Sequence, residues 1–173
     1  MSRTTLPSHG DEFEISCAAP DAEIDLRAKP LKVTFTGSCT ARAEAGSGDT
    51  TASATLKLLS VTLTAELPDA GGAEDGGAID MRLDDAEGHI LLTEDSSGLD
   101  LSLTFRLAAV VRQPGGTMEL RADKPMELRT RLRRFPPRGD QCQLRAPVSL
   151  VVPDAPDVTV LQVRNLPLVL GTA

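Results

Sequence analysis

At 173 residues, 40% of them hydrophobic and 25% charged, the chain is long enough to bury one sizeable core and too apolar to stay disordered. A net charge of −7 and an aromatic content of 2%, with no Trp and no Tyr, argue against a nucleic-acid binder, which needs a basic groove and stacking rings. No window approaches the roughly 20 apolar residues of a membrane span, and the first residues hold no signal-peptide core, so the expectation is a single cytoplasmic domain over 1–173 without membrane partners.

Residues 1–10 read as a flexible leader. Beyond them the hydrophobic pattern has period two almost everywhere, and nowhere the 3.6 spacing of an amphipathic helix. Phe13, Ile15 and Cys17 alternate with polar residues, and Ile24, Leu26 and Ala28 do the same after a turn expected at Pro20-Asp21. From Leu31 to Ala45 one face is Leu31, Val33, Phe35, Gly37, Cys39, Ala41 and Ala43, the other Lys, Thr, Ser, Arg and Glu. Between Ala52 and Leu67 the apolar phase switches midway, which predicts a β-bulge at Leu58 and Leu59. Residues 68–77, PDAGGAEDGG, read as a flexible, solvated loop.

Ile79, Met81 and Leu83 lead into a turn at Asp84–Gly88, and Leu99 to Arg112 is the cleanest alternation in the chain. Met118 to Ala122, Met126 to Leu132, Cys142 to Val152 and Val158 to Leu170 complete about nine or ten strands, expected to pair as consecutive hairpins. Three runs near 14 residues are longer than ordinary strands, and long tilted strands build barrel walls. The expected fold is therefore all-β, an antiparallel β-barrel of roughly eight to ten strands, with a β-sandwich as the alternative.

Chemistry-bearing motifs are sparse. Cys17, Cys39 and Cys142 form an odd set on apolar faces and read as small buried hydrophobes, with neither disulfide nor metal spacing. His9 and His89 stand in no nucleophile or metal motif, and no phosphate loop or dinucleotide fingerprint occurs, so no cofactor is expected. Arg138-Gly139-Asp140 reads as an ordinary turn, and Arg129, Arg131 and Arg133 as the wet side of one strand. Fourteen Arg against four Lys, with abundant Ala, Gly and Asp, fits a GC-rich bacterial genome.

If the wall encloses a cavity, its lining is aliphatic with a few Phe, Met and Cys side chains, suited to an apolar small molecule. Phe35, Cys39, Met81, Leu103, Phe105, Met118 and Met126 are the expected ligand-binding residues. At the level of architecture, and with no motif matched, the chain is similar to the small β-barrel cyclases of bacterial polyketide pathways. That resemblance implies cofactor-independent ring closure of an apolar substrate by conformational preorganisation. The other reading is a non-enzymatic structural or interaction module that pairs with another copy of itself.

Overall fold

The computed structural model describes residues 7, 9–44, 53–68, 76–95 and 98–171, with side chains for all of these except 85–87. The period-two segments form twelve strands: β1 (Glu12–Leu26), β2 (Lys29–Ala43), β3 (Ser53–Glu66), β4 (Ala78–Asp95), β5 (Gly98–Gln113), β6 (Gly116–Ala122), β7 (Met126–Leu132), β8 (Asp140–Gln141), β9 (Gln143–Leu144), β10 (Val148–Val152), β11 (Ala155–Asn165) and β12 (Val169–Leu170). No described residue is helical, and so none lies in a helix long and apolar enough to cross a membrane.

All pairings are antiparallel, and β1, β2, β3, β4, β5, β6, β10 and β11 follow one another around a ring that the β11–β1 pairing closes. The expected all-β antiparallel fold is thus realised as a ring of eight strands joined edge to edge, an arrangement with which the β-sandwich alternative is also compatible. Closure removes the unpaired edges that make open sheets associate. Paired residues followed from Ser16 run through Ser38, Thr62, Arg82, Ala108 and Arg121. One residue on, at Ala122, they continue through Leu150 and Leu161 and return to β1 at Leu26, ten residues from the start. Such a stagger goes with steeply tilted strands, and eight of them enclose a space that side chains fill or that holds one small ligand.

The short strands are halves of long ones. Both β6 and β7 pair with β5, end to end, at Ala108–Gln113 and Leu99–Phe105 respectively. Likewise β11 and β12 both pair with β1, and the segment β8–β9 continues the line of β10. The expectation that consecutive runs pair as hairpins fails here, because β6 and β7 are collinear. It fails also at Pro20-Asp21, where β1 runs on through a bulge between Ala19 and Ala22, with Asp21 at φ 54°. Conversely, the runs Cys142–Val152 and Val158–Leu170, read as single strands, are interrupted at 145–147 and 166–168.

A physical cause is visible in the sequence of each break. Pro125, Pro147 and Pro167 sit in the three gaps and Pro20 in the β1 bulge, and proline cannot donate to a ladder. The gaps lie side by side. Arg145 N–H donates to the Glu127 carbonyl and Asp123 N–H to that of Ser149, so the gap after β6 faces the gap before β10; Cys142 N–H to the Leu168 carbonyl aligns the next pair.

The inward face is apolar throughout. The predicted bulge is present: Leu56, Leu58 and Val61 are all buried, and Leu59, the extra residue, is 37% exposed. Of the expected loop at 68–77, residues 69–75 lie outside the described residues, and at its ends Gly76 N–H donates to the Pro68 carbonyl. Of the expected leader, 1–6 and 8 lie outside them, and Gly10 N–H donates to the Ala43 carbonyl.

Candidate functional site

Strand parity places Phe35 and Cys39 on the inner face of β2, Met81 on β4, Leu103 and Phe105 on β5, Met118 on β6 and Met126 on β7. Six of the seven belong to one continuous cluster of buried side chains, and the half-buried Met118 packs against it. Phe105 and Met126 are direct ladder partners, Met81 lies opposite Leu63 and Ala109, and Phe35 lies opposite Ala19. Phe35 and Met126 have no exposed surface and Phe105 has 1%, so these side chains meet one another rather than a water-sized void. Among the described residues no polar or charged residue is buried.

The wall itself is least regular around Arg106. On one flank the β4–β5 register shifts between Leu83 and Gly88; on the other β5 passes from β6 to β7 across the gap 123–125. Two adjoining depressions open there on the outside. One, of about 230 Å³, is lined by Thr104, Lys124, Pro125, Glu127, Arg145 and Ala146. The other, of about 210 Å³, is lined by Gly88, His89, Thr104, Phe105, Arg106 and Pro125. Phe105 thus belongs to the interior and also floors an outer dent. Glu127 holds Arg145 at 3.1 Å, and Arg121 Nε donates to Asp84 at 2.8 Å beside the β4 bulge. A larger trough of about 420 Å³ lies over Leu91, Thr93, Asp100, Ser102 and Arg129 on the polar face. Arg131, as expected for the wet side, pairs with Asp95 and Asp100.

No family model matches the chain, and no curated protein does. A solved structure, DynF from the dynemicin biosynthesis pathway of Micromonospora chersina, superposes with a TM-score of 0.75 over 98% of this chain and 84% of its own. The chain has the fold of DynF. At 14% identity the likeness is one of architecture.

Within this DynF-like fold the three cysteines are free and buried on inner-face positions of β1, β2 and the stretch between β8 and β9. A hydrogen bond between the Cys17 and Cys39 thiols is the largest influence on both, lowering Cys17 and raising Cys39, while burial raises both. Burial first, then the charge of Cys17, pushes Cys142 up to about 12. The described residues contain no group of three or more His, Cys, Asp or Glu placed to hold a metal ion. Sequence reading missed the interrupted sector because Lys124, Pro125, Arg145 and Ala146 passed for turn or strand residues. The signal that marks it is a proline inside or between runs that otherwise alternate without a break.

Proposed function

We propose that the chain holds an apolar, polyketide-like small molecule inside the ring and serves natural-product biosynthesis as a cyclase that works without a cofactor. The observation that carries this reading is the inner lining: aliphatic, Phe, Met and Cys side chains, with no buried polar or charged residue among those described. Such a surface fixes the conformation of a flexible apolar chain but supplies no acid or base. It suits an intramolecular cycloaddition, which moves no proton, consumes no oxidant and gains rate from the proximity of its two ends. DynF, whose fold is shared, comes from a natural-product pathway, and this supports the same setting. Met81, Met118 and Met126 are the side chains that yield space to the ligand, since an unbranched thioether adapts its shape at little cost.

The near-complete burial of Phe35 and Phe105 favours a second reading, a ring filled by its own side chains that acts as a structural module. Thermal-shift and native mass spectrometry with linear polyene and polyketide-like chains decide between the two. The cyclase reading expects a one-to-one complex, a raised Tm, and conversion of a linear ligand to its cyclic isomer, which has equal mass and is resolved by chromatography. Absence of both a complex and a shift across the panel overturns it in favour of the filled module.

A further inference from the structure

We infer that the interrupted sector around Arg106 is a lateral mouth of the ring and receives an amphiphilic anion, its apolar chain directed past Phe105 and its charged end held outside by Lys124. This rests on the reading of the ring as a container for an apolar ligand, and adds to it where the ligand enters and what its outer end carries.

Three observations converge on the sector. First, the register is irregular on both sides of one strand: β5 has regular ladder pairs at Phe105 and again at Leu107 and Ala108, while β4 shifts register between Leu83 and Gly88 and the other neighbour changes from β6 to β7 between Ala122 and Met126. A sheet whose register is irregular on both flanks of one strand opposes local opening least at that place. Second, Phe105, an interior residue, forms part of the floor of the outer dent, so the ring's apolar contents lie directly behind it. Third, the rim has the chemistry of an amphiphile's outer end. Pro125 and Ala146 offer apolar surface and Thr104 a hydroxyl, while among the described residues that line this dent Lys124 and Arg145 stand against one acid, Glu127, whose carboxylate pairs with Arg145. Among those described lining residues one positive charge is left over, at Lys124, exposed and at the edge of an apolar groove. An anion meets a complementary field there; a neutral or cationic end group does not.

The two outer dents, of about 230 and 210 Å³, leave room for the head and first carbons of one chain, so a ligand of about ten carbons with a compact head is long enough to reach past Phe105. Carboxylate and sulfate or phosphate heads share the required charge, and the test separates them. Isothermal titration calorimetry with decanoate, decyl sulfate and decanol, each below its aggregation limit, is run on the full chain and on Lys124→Gln and Lys124→Arg.

Both anions should bind wild type more tightly than decanol, by about three- to fivefold, the range of one partly exposed charge pair. Lys124→Gln should erase that advantage and leave decanol unchanged, and Lys124→Arg should retain it. Preference for decanoate over decyl sulfate assigns a carboxylate head, and the reverse a sulfate- or phosphate-like one. Equal affinity for all three ligands, or anion affinity untouched in Lys124→Gln, overturns the mouth while leaving the apolar container standing. Failure of all three to bind also overturns the mouth, and leaves the apolar container to be decided by the polyene and polyketide-like panel.

Discussion

Replacing Phe105 by Ala tests how completely the ring is filled at the place where its wall is weakest. Phe105 is 1% exposed, faces Met126 across the β5–β7 ladder, and faces Gly88 across the β4–β5 ladder. The truncation withdraws about 100 Å² of apolar surface, worth about 2.5 kcal/mol at about 25 cal/mol per Å². A void of about 80 Å³ that does not collapse adds about 2 kcal/mol at about 24 cal/mol per Å³. The expected loss is therefore about 4 kcal/mol, read as a shift in urea midpoint at constant m-value. An apolar ring such as benzene should enter the void, and at ten times its Kd restore about 1.4 kcal/mol. A loss below about 1 kcal/mol, with no rescue, would refute the packing argument and show that Phe105 already borders empty space.

Three further outcomes follow from the same geometry. A Cβ on Gly88 would sit 2.8 Å from Leu58 Cδ1 and 2.9 Å from Phe105 Cβ, so Gly88→Ala should cost about 1–3 kcal/mol. In a double-mutant cycle with Leu58→Ala, which removes that Cδ1, the cost should shrink, and strict additivity would count against the contact. The two-residue turn after β1 holds Arg27 and Ala28 at φ 50° and 64°, where a Cβ is unfavourable; Ala28→Gly should raise stability by about 0.5–1 kcal/mol, and a fall in Tm would contradict this. Because the Cys142 thiol titrates at about 12 in the folded chain, above its ordinary value near 9, its contribution is complete below pH 9 and is lost as pH rises through 12. Urea unfolding between pH 8 and 11 should show that decline, and Cys142→Ala should make it shallower, the raised Cys39 supplying the rest; a flat wild-type profile would exclude it.

Alternation alone made the fold class legible, because a half-buried strand must place successive side chains on opposite faces. The bulge at Leu58 and Leu59 was legible for the same reason: a one-residue phase slip cannot be absorbed by a regular pleat. Strand partition was less so. Alternation continues unchanged across a gap such as Arg145–Pro147, and nothing local tells two collinear half-strands from a hairpin, since that depends on which third strand both halves meet. The inner positions of Phe35, Cys39, Met81, Leu103, Phe105 and Met126 were readable from parity. The outer sector was not, because Lys124, Arg145 and Thr104 belong to three wall positions that only the registers of β7 with β5 and with the segment after β9 bring together.

The seam between β1 and β11 also sets an order of events. The contacts that complete the circle join residues 23–26 to residues 161–165, nearly the whole described length apart. Loop-closure entropy and contact order therefore place this junction late, after the local hairpins of β1 to β5 have formed. During synthesis β1 must wait, its outer edge bare, until the ribosome has released the segment that covers it. An emerging chain is in that interval a curved open sheet with two sticky margins, the form in which strand proteins exchange partners or aggregate. The length of that exposure, set by translation speed over about the last third of the chain, governs how much of the protein reaches its closed state.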